Sequence, residues 1–339
     1  MEQRTVDVFS SEKALNHHLI HDPSLLFVRI TSKSTLRAFL ISDNSLQMHG
    51  SGSSQASFRL ADGLGYGLQQ NHRSVIRLNL QHFLWREVYG FHIHPSVHLP
   101  PSDNSIEPSA RPAIADVATG TALWLIDVSR DFPHSRLDGL DIDLTQAPHP
   151  GWMPSNITLQ HWDVFTDVPA SLECQYDLVH VRLLVLVLSG VDPMPVIRRL
   201  FQLVKPGGYI QWDELDCVNM KIKKVNPSVE APALEEIRIA SHANGRHDWV
   251  MDLPRLLNEA GFQDAKLDYY DEGPELVRAF NDQHLLTMEE FASKLMQNGK
   301  AEAAASFVKL IQAGYQECVN GAALSIPRVV VVAKRPGSA

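Results

Sequence analysis

From about residue 66 onward, apolar residues fall into short blocks separated by turn chemistry. Ile76, Leu80, Phe83, Leu84 and Val88 recur at helical spacing within 74–90, and Gly90 supplies a stop. Dense blocks of β-formers at 114–117, 137–140, 157–162, 176–182, 209–214, 265–269 and 328–333 read as strands. Between them, 123–130, 193–204 and 249–261 read as helices, with Pro193 opening one and Gly261 closing another. Two further helices are expected at 287–296 and 301–317, the first started by a Thr287/Glu290 capping box. The 176–182 block, YDLVHVR, is apolar enough to be buried on both faces, as in a parallel sheet. Strand alternating with helix predicts an α/β fold. Its sheet is mixed and seven-stranded, flanked by helices, with the last strand antiparallel near an edge. Residues 1–60 carry no such rhythm and are set apart as an N-terminal extension; 61–110 are expected to form a helical cap. The main domain then spans 111–339, with a helical insertion at 271–325 placed as a lid.

The chain's centre of gravity is 113–141. A short strand ends in Asp116 and Val117, then meets the small-residue turn Ala118-Thr119-Gly120-Thr121-Ala122. A helix follows, then a second strand that stops on Asp141. Strand, tight turn, helix, strand and acid make the first half of a doubly wound nucleotide site. The turn needs tiny residues so that a ligand can approach the backbone. The helix behind it offers free N–H groups and a partial positive charge. Asp141 stands where a carboxylate can accept from both hydroxyls of a ribose. Lys205-Pro206-Gly207-Gly208 forms a later turn into the 209–214 strand.

Composition narrows the choice of function. Among 339 residues, 44% are hydrophobic and 20% charged, as in a soluble globular protein, and a net charge of −9 argues against a nucleic-acid groove. Cys174, Cys217 and Cys318 are widely spaced, which indicates neither a disulfide framework nor a zinc site and fits a cytoplasmic, reducing setting. His17, His18 and His21, and again His92, His94 and His98, cluster without a carboxylate or cysteine partner, so no metal site is assigned. No apolar run approaches the ~20 residues that span a bilayer, and the first residues lack a secretory core. In the loop 146–156, Trp152 and Met153 are expected to be apolar anchors.

Several stretches together resemble the fungal class I methyltransferases that use S-adenosylmethionine, in the secondary-metabolism branch related to the velvet-complex regulator. They are RLNLQH at 77–82, DVATGTALWLIDV at 116–128, LDGLDI at 137–142, QAPHPGWMPSN at 146–156, WDVF at 162–165, YDLVHVRLL at 176–184 and KPGGYIQWDELD at 205–216. The resemblance covers roughly 64–335. It implies a Rossmann-like fold, S-adenosyl-L-methionine as cofactor, and a small secondary metabolite methylated on oxygen, nitrogen or sulfur. Asp116, Ala118, Gly120 and Ala122 would form the turn beneath the methionine and ribose, and Asp141 would hold the ribose hydroxyls. Asp163 would meet the adenine amino group, Val164 and Phe165 would flank the ring, and His180 would border the methyl donor and serve as the catalytic residue. The family loop usually has glycine where Ala118 and Ala122 stand; if those positions need positive φ, each strains the loop by about 1–2 kcal/mol.

Candidates for a base are His180, His161, Asp213 and Glu214. Apolar positions of the insertion, Phe291, Leu295, Phe307, Leu310 and Ile311, suit a core, a substrate or a second subunit of a homodimer. Two other functions compete: a cyclase that uses the sulfonium as a fixed charge without methyl transfer, and a cofactor-binding regulator. A nicotinamide dehydrogenase fits less well, because the turn lacks a further glycine.

Overall fold

The computed structural model describes Leu68, residues 70–101 and residues 107–337. The N-terminal extension expected at 1–60 lies outside them. In chain order the regular elements begin with α1 (His72–Tyr89), β1 (Ala113–Val117), α2 (Leu123–Asp131) and β2 (Arg136–Asp141). Next come β3 (Ile157–His161), β4 (Tyr176–Arg182), α3 (Met194–Leu203), β5 (Val204–Leu215) and β6 (Lys221–Lys224). The chain continues through α4 (Pro232–His242), α5 (Leu253–Glu259), β7 (Gln263–Tyr270), α6 (Val277–Gln297) and α7 (Ala301–Val319). It closes with β8 (Ala322–Ser325) and β9 (Arg328–Lys334).

Seven strands form one sheet in the order β3-β2-β1-β4-β5-β9-β7. The first five of these run parallel, and β9 runs antiparallel between β5 and β7, one place in from the edge. The order reverses between β1 and β4, so the carboxyl ends of those two strands flank the switch-point crevice where open α/β sheets bind ligands. One face of the sheet packs on α3 and α5 through Val179, Val181, Ile210, Trp212 and Val331. The other packs on α1 and α2 through Trp85, Ile114, Leu125, Leu137 and Val330. A third cluster joins α4, α6 and α7 to a β6–β8 ribbon that the strand pattern did not reveal.

Several expectations need correcting. α1 forms where predicted, with Gly90 at φ 67° as its left-handed cap, but it buries Arg77, Gln81 and His82 while Ile76 is 60% and Phe83 46% exposed. Leu80, Leu84 and Val88 of the apolar stripe do pack toward the core, but Ile76 and Phe83 turn outward and the inner face also meets charged partners. Thr287 is not a helix start: it lies inside α6, its hydroxyl donating to the Gln283 carbonyl, while Glu290 pairs with Arg77. The 249–261 helix begins as a 3-10 turn at Asp248–Asp252 and becomes α-helical only from Leu253. Lys205–Gly208 is a bulge inside β5, since Tyr176 pairs with Val204 and Leu178 already with Tyr209. Trp152 is 84% exposed, with its ring set edge-on to His149, so it is not an apolar anchor.

Candidate functional site

The turn after β1 is a strained knot. Ala118, Gly120 and Ala122 all hold left-handed backbone, at φ 57°, 54° and 56°. Both alanines therefore carry the strain that glycine would avoid. The Ala118 and Thr119 amides donate to the Leu140 carbonyl, and the Ala122 amide donates to that of Thr119. Thr119 sends its hydroxyl to Asp116 at 2.7 Å. Gly139 on β2 must lack a side chain, because a Cβ there would sit 2.6 Å from Leu159 and 3.0 Å from both Leu125 and Thr119. The knot thus lies flat against β2 and delivers Gly120 to Asp141. α2 starts on Ala122 without a side-chain cap, so its first amides face out from the switch point unclaimed by a capping side chain. We expect Ala122→Gly to leave stability within about 1 kcal/mol and cofactor affinity intact. Relief of about 1–2 kcal/mol of strain is offset by about 0.8 for the buried methyl and about 0.4–1 for the freer unfolded chain. Thermal melting and calorimetry check it.

Asp141 closes β2. Its Oδ2 accepts from the Gly120 amide at 2.8 Å and its Oδ1 from the Asp143 amide at 3.0 Å. Each oxygen keeps a further lone pair, so a pair of neighbouring hydroxyls could donate to the two. Burial pushes its pKa up to about 6 against the pull of those two amides. One strand over, Trp162 donates its amide to the Asp141 carbonyl, which places Asp163 beside it. The Asp163 carboxylate accepts from the Phe165 amide at 2.9 Å; Val164 is buried and Phe165 half-buried.

His180 lies beneath this knot rather than in the crevice. It has no solvent exposure, and Trp124 stacks flat on its ring at 3.8 Å. Its Nδ1 donates to Asp116 at 2.6 Å and its Nε2 to Asp213 at 3.1 Å. Burial alone would lower its pKa, but the two carboxylates, Asp213 foremost, outweigh that and raise it. With a carboxylate accepting from each nitrogen, the ring has no lone pair free to act as a base. Asp213 is held low despite its own burial, by His180 and by Arg182, whose guanidinium reaches it at 2.9 Å. Arg182 also donates to His82 Nδ1, and His82 Nε2 donates to Asp127 at 2.9 Å. Burial, aided by Arg182, drops His82 to about 4, so it is neutral. Arg86 and Arg130 complete the chain at Asp127. Sequence reasoning missed this relay of charges; the only signal was a polar RLNLQH stretch on a helix that had to face a sheet.

Two further base candidates divide. His161 is exposed at the end of β3. Glu214 is fully buried, accepting from the Val185 amide at 2.8 Å and the Leu215 amide at 3.1 Å. Burial raises it to about 8, so it is protonated at neutral pH. Because its folded pKa lies above the unfolded value, its stabilising proton is fully present below about pH 4.5 and lost as pH rises through about 8. Stability should therefore fall across that window, and Glu214→Gln should flatten the fall in urea titrations run at several pH values.

The sheet order, with the strand–turn–helix knot at its switch point, is that of a class I methyltransferase fold. No family model matches the chain. It is 31% identical over 249 residues to methyltransferase grgD of a Penicillium species, covering 68% of this chain and 82% of that one. The N-methyltransferase verN of Clonostachys rogersoniana is 31% identical over 147 residues, 43% of this chain and 48% of that protein. The secondary metabolism regulator LAE1 of Hypocrea atroviridis is 25% identical over 166 residues, 48% and 47% of the two chains. The chain thus spans most of the first relative and about half of the other two. Among solved structures, phosphoethanolamine N-methyltransferase 2 of Haemonchus contortus superposes with a TM-score of 0.40 at 11% identity, over 76% of this chain and 52% of that one. The chain belongs to the fungal methyltransferase family of secondary metabolism. No helix among the described residues is long and apolar enough to cross a membrane.

Proposed function

We propose that the protein transfers a methyl group from S-adenosyl-L-methionine to a small secondary metabolite, on oxygen, nitrogen or sulfur. The observation that carries this reading is Asp141, a half-buried carboxylate at the switch point with one backbone amide on each oxygen and a further lone pair on each for another donor. When bound, the cofactor supplies a methyl already activated on a sulfonium. Asp141 would take its ribose hydroxyls and Asp163 its adenine amino group. Val164 and Phe165 would flank the ring. Ala118, Gly120 and Ala122 would carry the backbone beneath it, where any larger side chain would intrude. Asp116 holds this turn through Thr119.

His180 then acts as a positioning residue rather than a base: its imidazolium ties Asp116, and so the turn, to β4 and β5. The insertion containing α6 and α7 would close over the crevice as a lid. Three free cysteines with no pairing support a cytoplasmic home. The test incubates the protein with labelled S-adenosylmethionine and candidate metabolites. Stoichiometric S-adenosylhomocysteine with a product heavier by one methylene supports transfer; a product of unchanged mass would replace transfer with cyclisation.

A further inference from the structure

α4 and α6 pack together in the third cluster. His284 and Ser241 meet there, with His284 Nε2 and Ser241 Oγ 2.9 Å apart. Both residues are half-buried, and among the described residues no partner meets His284 Nδ1. Phe280, four residues earlier on the same face, lies 3.4 Å under the Arg328 guanidinium at the start of β9. Met288, four residues later, packs with Cys217 and Met220 just beyond the end of β5. Farther along, Glu290 binds Arg77 of α1, and the next residue, Leu78, lies 3.9 Å from where a Cβ on Gly120 would stand. His284 is thus bracketed between the ends of β5 and β9, on the side of the switch point opposite Asp141.

A second observation lies just past the end of α4. Six residues past Ser241, His247 is buried with Nδ1 unpartnered, and Trp249 buries an unpartnered Nε1. The other nitrogen of His247 bonds the backbone of Val185 in the segment leaving β4, where Leu183 is forced to φ 62°. Orphaned buried polar atoms cost about 1–3 kcal/mol each and call for a partner from outside the protein. Strained backbone beside them is characteristic of a ligand site.

We propose that the Ser241–His284 pair is the acceptor-side catalytic element, Ser241 holding the ring so that His284 Nδ1 receives the proton of a neutral hydroxyl or amide N–H acceptor. This rests on the methyl-transfer reading above. In the step, the acceptor atom forms its bond to the methyl carbon as the carbon–sulfur bond breaks, and that electron pair returns to sulfur as a neutral thioether. The acceptor's proton passes to Nδ1 and then to water, which restores the neutral ring. Burial holds His284 down at about 4, so it is unprotonated at pH 7 and its lone pair is available. Such a weak base suits acceptors whose methylated forms are strong acids, namely hydroxyls and amides; an amine needs no such help.

The test titrates phenol into histidine-15N-labelled protein saturated with S-adenosylhomocysteine, with anisole, which has no proton to give, as control. The His284 Nδ1 resonance is expected to shift with phenol and not with anisole. His284→Phe and His284→Gln are expected to weaken phenol binding about tenfold while S-adenosylhomocysteine affinity stays as in the native protein. A His284 resonance that ignores phenol, or variants that bind phenol normally, would overturn the proposal. Absence of S-adenosylhomocysteine binding to the native protein would instead overturn the cofactor reading on which it rests.

Discussion

Asp213→Ala is expected to destabilise the protein by about 3–5 kcal/mol, because it takes the shared carboxylate from the buried His180 and the half-buried Arg182. The carboxylate is fully buried and accepts from His180, Arg182 and the side-chain amide of Gln211. Without it, Arg182 must find another anion, and His180 loses the larger of the two pulls that keep it protonated. A loss of this size is a large share of the 5–15 kcal/mol typical of whole proteins. In a domain this large it should lower the melting temperature by on the order of 10 °C. Asp213→Asn retains acceptor geometry but not charge, so it should fall between the native protein and the alanine variant. Equal melting for all three would mean the relay is screened by water and contributes little.

Asp141→Ala should weaken S-adenosylmethionine binding at least tenfold, about 1.4 kcal/mol. The variant loses the acceptor for the ligand and also the anchor of the Gly120 amide. The native protein should show a pH dependence of the same origin. The carboxylate titrates at about 6 in the free protein, and hydroxyl donors prefer it ionised. Affinity should therefore be flat above pH 7 and fall below pH 6, approaching roughly tenfold per unit. Asp141→Asn should be weak at all pH values and lack that slope. Calorimetric titrations at several pH values distinguish these outcomes.

The cofactor half was legible because it is local. Ala113 to Asp141 contains the strand, the turn, the helix and the acid, and turn chemistry is a short-range signal. The strand blocks were legible for the same reason, since runs such as RVVVVA fit only a buried sheet. The Ser241–His284 contact was not, because its members come from α4 and α6, and a serine 43 residues from its histidine leaves no pattern. α1 misled through burial. Its periodicity pointed Ile76 and Phe83 inward, yet those two face out while His82 and Arg86 join the charged chain that runs from Asp213 to Asp127 beside the core contacts of Leu84 and Trp85. His180 shows the remaining difficulty: a histidine on a predicted strand reads the same whether it faces ligand or core. Only the carboxylates on either side and the Trp124 ring across it decide the matter.

The most direct test is calorimetric titration of the native protein with S-adenosylhomocysteine, alongside its melting temperature. A single site, a melting temperature that rises with ligand concentration, and at least tenfold weaker binding in Asp141→Ala are the predicted results. No heat and no change in melting would contradict the account, whatever the relatives do.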